Sequence, residues 1–280
     1  MKSAAIFNPG EKTHRDENFP VASWVIAKEY RAPVLAFYNF VRAADDIADH
    51  PHLSEKEKLY RLDQFEAALL GANDAIPEAL PLREELATRN LPARHALDLL
   101  VAFRQDASKH RYKDWGELLQ YCMYSAAPVG RFVLDVHGES ASSWPANDAL
   151  CSVLQIINHL QDCKADYLQL NRIYIPQDAL FGHGLKDSAL GEANASEALR
   201  CCLVELVQKT QGHLSATPFS SQIKNTRLRL EVLTIEQIID RLLALLMTRD
   251  PLSERVHLTS FQYSCVIAKT VLGHLAKRFK

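Results

Sequence analysis

Apolar residues recur at helical spacing along almost the whole chain, and that periodicity is what most restricts the fold. Within residues 20–49 the apolar positions are Val21, Val25, Ile26, Val34, Leu35, Phe37, Phe40, Val41 and Ile47. Proline fits best at a helix start, so Pro33 predicts two helices here, broken near Arg31-Ala32-Pro33. Residues 54–70 open with Ser54-Glu55-Lys56-Glu57, the pattern of a capping box, and continue with an apolar stripe of Leu59, Leu62, Phe65, Leu69 and Leu70. Further helical patterns cover 77–89, 93–109, 115–136, 146–170, 196–214, 225–247 and 259–279. The one strand-like piece, Arg172-Ile173-Tyr174-Ile175-Pro176, is too short to found a sheet. The breaks at 71–74, 138–145, 172–184 and 249–252 are too short to be linkers, and no internal repeat is present. The expectation is an all-α protein with one domain over residues 1–280.

Composition narrows the functions. Only 10 of the 280 residues are glycine, which argues against a glycine-rich phosphate loop, so phosphate would be held by side chains or metals. A net charge of -2 gives no field to recruit nucleic acid, and no nucleic-acid partner is expected. The six cysteines form no C-x-x-C pair and read as reduced, mostly structural thiols of a cytoplasmic protein. The first twenty residues lack an apolar core of signal-peptide length, and no apolar run reaches the roughly 18 residues that span a bilayer. A greasy substrate would then be collected by peripheral contact with the inner face of the membrane.

The chemistry-bearing residues form two acidic stripes. In Asp45-Asp46-Ile47-Ala48-Asp49, Asp45 and Asp49 lie four apart and share a helix face. Two such carboxylates repel unless a cation sits between them, and oxygen-only ligands suit a hard cation such as Mg²⁺. The bland alternative is an acidic helix end facing water. The second stripe, Asn158, Asp162 and Asp166, repeats the spacing beside Leu154, Ile157 and Leu160, and reads as buried and inward-facing. Arg42, three residues before Asp45, would grip diphosphate oxygens or pair with Asp45 or Asp46. Phe19, Phe37, Tyr38, Phe40, Tyr121, Tyr124 and Tyr174 lie near the motifs and would line an aromatic pocket for a carbocation.

These motifs resemble those of the squalene and phytoene synthase family. Phe37-Tyr-Asn-Phe-Val-Arg42 followed by Asp45-Asp46-Ile-Ala-Asp49 is similar to its first aspartate motif. Tyr121-Cys-Met-Tyr124-Ser-Ala-Ala-Pro-Val-Gly130 resembles its central segment. Leu154-Gln155, Asn158, Gln161-Asp162 and Asp166, then Arg172-Ile-Tyr174-Ile-Pro176, resemble its second aspartate motif. The resemblance covers about residues 17–250. Glu17-Asn18-Phe19-Pro20-Val21-Ala22-Ser23 and the Asn158-x-x-Gln161-Asp162 form resemble the hydroxysqualene synthase branch of bacterial hopanoid pathways.

The resemblance implies an isoprenoid synthase helical bundle with a central cavity, which removes diphosphate from presqualene diphosphate and quenches the cation with water. It implies Mg²⁺, with Mn²⁺ as a substitute, held by Asp45, Asp49, Asp162 and Asp166, with Asn158 beside them. Arg42, Asn158 and Arg172 would meet the diphosphate or its metals. Phe19, Tyr38, Tyr121, Gln155 and Tyr174 would shape the substrate pocket, and no NADPH is expected. Ala165 departs from relatives with an acid there, which implies weaker metal affinity. The alternatives are condensation of two farnesyl diphosphates to presqualene diphosphate or squalene, phytoene synthase-like activity, or a non-catalytic subunit on the same fold. A di-iron bundle would want Glu-x-x-His pairs that the stripes lack.

Overall fold

The computed structural model describes residues 27–214 and 218–278, and these are helical, with no sheet. Val21, Val25, Ile26, Phe19 and the whole 17–23 motif lie outside the described residues.

Helix α1 (Lys28–Ala48) runs unbroken through Pro33, against the expected break. Proline leaves the carbonyl four residues earlier without its donor. That carbonyl belongs to Glu29, and Arg89 Nη2 donates to it at 2.6 Å from α3 (Ala79–Arg89). The external donor removes the main penalty for continuing the helix. Helix α2 (Glu55–Leu69) starts at the expected capping box, with Ser54 N donating to Glu57 Oε2 at 3.1 Å. Helix α4 (Arg94–Ser108) follows. The stretch expected as one helix over 115–136 divides into α5 (Trp115–Ser125) and α6 (Ala127–Val136). Pro128 sits in the first turn of α6, where its missing N–H costs nothing, whereas a continuous helix would lose a hydrogen bond there.

The longest element is α7 (Trp144–Leu170), whose 27 residues reach about 40 Å. It stops at Asn171, which adopts the left-handed conformation with φ 52°. The strand-like piece makes only an isolated parallel bridge between Ile173 and Arg111, and Ile173 N donates to His110 O at 2.9 Å. The break at 172–184 also hides a short helix, α8 (Gln177–Gly182). Helices α9 (Glu197–Gly212), α10 (Thr226–Thr248) and α11 (Ser260–Arg278) complete the set.

Two apolar clusters organise the packing. One joins α1, α2, α3 and α4 around Phe40, Leu62, Leu82 and Leu100. The other gathers α5, α7, α9 and α10 around Leu118, Ile157, Leu203 and Leu242. Helix α6 serves both, turning Phe132 into the first and Leu134 into the second. Phe37 and Phe40 belong to this packing and not to a substrate pocket: Phe37 stacks on Phe132 at 4.0 Å and Phe40 meets Phe65 edge-on. Among the described residues, no helix is long and apolar enough to cross a membrane. All six cysteines are free.

Candidate active site

On α1, Tyr38, Arg42, Asp45 and Asp49 follow one another at intervals of four, three and four residues. They therefore share a face, turned away from the buried row of Phe37, Phe40, Ala44 and Ala48. Arg42 is held by its own helix, with Nη1 3.0 Å from Asp45 Oδ2 and Nη2 2.7 Å from Asp46 Oδ1. Even so, the Asp45 carboxyl is pushed up from 3.8 to about 8. Burial is the main cause and the charge of Asp49 the next, with Arg42 opposing and Asp106 and Asp46 adding.

Arg172 ties the end of α7 to the end of α1. Its backbone N–H caps α7 by donating to Asp166 O at 3.0 Å. Its buried guanidinium donates from Nη1 to Asp49 Oδ1 at 2.5 Å and from Nη2 to Ala48 O at 2.8 Å. Lys58 Nζ donates to the same carbonyl at 2.8 Å. Both cations thus sit at the negative end of the α1 dipole.

Beside Arg172 lies a buried acid that the motifs did not reveal. Asp106 of α4 accepts from Tyr121 Oη and from Tyr174 Oη, each at 2.8 Å. Burial pushes its carboxyl up to about 6, although Arg172 and the two hydroxyl bonds pull the other way. The rings of Tyr112, Tyr121 and Tyr174 pack with centroids 5.2 to 5.4 Å apart. His159 stacks on Tyr174 at 3.6 Å, bonds Gln155 through Nε2 at 3.2 Å, and sets Nδ1 3.8 Å from Asp166 Oδ2. This aromatic column reaches the second stripe through His159 and lies beside Arg172, which holds Asp49.

The second stripe is less enclosed than its spacing suggested. Asp162 is exposed, and Asn158 and Asp166 are half-buried. The inward positions of that part of α7 are taken by Ile157, Leu160, Gln161 and Cys163, and Gln161 donates to Val256 O. Tyr38 and Gln155 are half-buried, Tyr121, Arg172 and Tyr174 are buried, and Tyr124 is 37% exposed. Phe19 lies outside the described residues. Asp106, Lys58 and His159 had no role assigned from sequence. The signal for Asp106 was available: it falls seven residues after Leu99 and three after Phe103, an acid on the apolar stripe of α4.

Among the described residues, no three side chains of the metal-binding types converge on one point. Mg²⁺ asks for less, since it binds through one or two carboxylates and completes its shell with waters and substrate phosphate oxygens. Asp45 and Asp49 fit that use: both are oxygen donors, they share a face, and the charge of Asp49 raises the cost of charging Asp45.

Comparison with known proteins decides the lineage. The squalene/phytoene synthase family model matches residues 12–262. The chain belongs to the squalene/phytoene synthase family. Hydroxysqualene synthase of Rhodopseudomonas palustris is 55% identical over 94% of this chain and 90% of its own length. The hydroxysqualene synthase of Sinorhizobium fredii is 54% identical over 89% of this chain and 86% of its own. A solved structure described as squalene synthase HpnC from Alicyclobacillus acidocaldarius superposes with a TM-score of 0.71 at 30% identity, covering 80% of this chain and 85% of that one. A dehydrosqualene synthase at 20% identity shares the all-α fold with a TM-score of 0.77, covering 92% of each chain. Family and fold are typical of metal-dependent enzymes acting on prenyl diphosphates.

Proposed function

We propose that this chain, as one domain over residues 1–280, converts presqualene diphosphate to hydroxysqualene by losing diphosphate and capturing water. The observation that carries this reading is the 49–55% identity with three hydroxysqualene synthases over most of the chain, on a fold that also serves other prenyl diphosphate enzymes. Asp45 and Asp49 on one side, and Asp162 and Asp166 with Asn158 on the other, would hold Mg²⁺, or Mn²⁺ in its place. The metal supplies neutralisation of the charge that builds on the departing diphosphate.

The chain's own groups do the rest. Arg172 fixes the Asp49 carboxylate, and Lys58 adds a second positive charge next to it. Arg42 keeps Asp45 and Asp46 in place and lies on the same face to meet diphosphate oxygens. The aromatic column of Tyr121, Tyr174 and His159, with Gln155 bonded to His159, would stabilise the cation by its electron-rich surfaces and limit access of water, and Tyr38 would serve the same pocket from α1. The reaction needs no hydride, so NADPH should not change the rate.

The test is incubation of the purified protein with presqualene diphosphate and Mg²⁺ in ¹⁸O-labelled water. Labelled hydroxysqualene is expected, with activity abolished by EDTA and unaffected by NADPH. Squalene formed only with NADPH would favour the second reading, a squalene synthase, which the name of the Alicyclobacillus structure supports. If presqualene diphosphate is the substrate, a sister enzyme that condenses two farnesyl diphosphates must supply it. The hydrocarbon partners also imply peripheral contact with the inner face of the cytoplasmic membrane. Flotation with liposomes, reversed without detergent, tests that point.

A further inference from the structure

We infer that Asp106 positions the quenching water through Tyr174 and Tyr121 and receives the proton that this water gives up. The inference rests on the water-capture reading above and assigns a residue to its least defined step.

A buried carboxylate is costly unless it is paired. Asp106 is 4% exposed, and both of its oxygens are engaged by tyrosine hydroxyls; among the described residues no salt bridge is formed with it. Arg172, the cation closest to it in effect, spends Nη1 and Nη2 on Asp49 and Ala48, and its buried Nε–H has no partner. An acid needed only to hold the fold could have been met by that guanidinium directly. Instead its position fixes the direction of two hydroxyl protons. A tyrosine that donates to Asp106 has only its lone pairs left for another group. Tyr174 Oη and Tyr121 Oη, which also lie within hydrogen-bonding reach of each other, therefore keep lone pairs with which to hold a water by its hydrogens and leave the water's own lone pair free.

The step balances. The water oxygen forms the new C–O bond to the cation while one of its O–H bonds breaks. That proton passes to Tyr174 Oη, whose own proton moves along the existing 2.8 Å bond to Asp106 Oδ1. Cation, water and carboxylate become alcohol and carboxylic acid, and no oxidant or reductant is required. An acid raised to about 6 by burial can hold the proton briefly and return it to solvent. Asp106 is thus a positioning residue, acting through the two tyrosine hydroxyls it holds.

The readout that separates this role from a structural one is hydroxysqualene formed per diphosphate released, whatever the overall rate. In Asp106→Asn the amide donates to one hydroxyl and turns that proton outward, so the water loses an acceptor. We expect the ratio to fall about tenfold, the worth of one positioned hydrogen bond, with proton-loss hydrocarbons making up the difference. Tyr174→Phe keeps the ring stacked on His159 and should lower the ratio to a similar degree. Circular dichroism checks that each variant is folded, and if Asp106→Asn is not, Tyr174→Phe alone decides. An unchanged ratio in a folded variant overturns the inference. Release of diphosphate by the wild type without any alcohol overturns the water-capture reading itself, and the inference with it.

Discussion

Replacing Asp45 by asparagine should stabilise the metal-free protein at alkaline pH while removing its response to Mg²⁺. The carboxyl is raised from 3.8 to about 8 by burial and by Asp49. A carboxyl raised on folding favours the folded state below its unfolded value and loses that advantage as pH rises through the folded one. Between about pH 4 and pH 8 the unfolded chain has given up its proton and the folded chain has not, so wild-type stability declines across that window. At about 1.4 kcal/mol for each tenfold change in proton affinity, the ceiling is about 6 kcal/mol. The side chain is 33% exposed, so solvent screening reduces the realised cost to about 1–2 kcal/mol. Asparagine keeps the shape and never charges. Melting curves in EDTA should therefore coincide near pH 4 and separate by about 2–3 °C in favour of Asp45→Asn at pH 8.5. Added Mg²⁺ with inorganic diphosphate should raise the wild-type midpoint and leave the variant unmoved. If the variant melts lower at pH 8.5, the Arg42 pair outweighs burial and repulsion, and the reasoning is wrong.

Arg172→Met removes both bonds to Asp49 and Ala48 and leaves two carboxylates near each other without their cation, so urea unfolding should show a loss of about 2–3 kcal/mol together with loss of turnover. Gly130→Ala would set a Cβ 1.9 Å from Asn147 Oδ1 and 2.7 Å from Cys151 Sγ, where α6 packs on α7, and the same unfolding assay should show at least about 2 kcal/mol lost. Burial raises the thiols of Cys122, Cys151, Cys163 and Cys202 to about 12, whereas Cys201 and Cys265 are exposed. Mass spectrometry after iodoacetamide at pH 8 should accordingly find modification at Cys201 and Cys265 and none at the other four.

Local signals survived the passage from sequence to structure where the energy that sets them is local. The Ser54–Glu57 box forms because its partners are three residues apart, and the periodic stripes of α4, α7 and α10 hold because each buries one continuous face. Failures occurred where a distant group decides. Nothing near Pro33 announces that Arg89 will take the carbonyl of Glu29, 60 residues away in the chain. Residues 115–136 divide for a local reason, because Pro128 cannot donate within a continuous helix although the apolar periodicity runs across it. In the site, the aspartate spacing was legible because helix geometry alone puts Asp45 and Asp49 together. Burial of the second stripe was not, since Ile157, Leu160, Gln161 and Cys163 take the inward face of α7, with Gln161 bound to the carbonyl of Val256.

Asp106 shows why spacing cannot find every member of such a site. It has no acidic partner at four residues, and its meaning comes from Tyr121 and Tyr174, which are 15 and 68 residues away in the chain. The two kinds of acid also behave in opposite ways. Asp45 and Asp49 sit on a helix face open enough for a cation to relieve their repulsion, and charge there is useful only when that cation arrives. Asp106 is closed off, satisfied by hydroxyls and next to a guanidinium engaged elsewhere, so its charge is available in every state of the protein. Diphosphate departure requires positive charge to be brought in, and water capture requires a proton to be taken away. An open carboxylate pair and a buried carboxylate separated by Arg172 keep those two demands apart, so that the acid needed for the second step is not neutralised by the metal needed for the first.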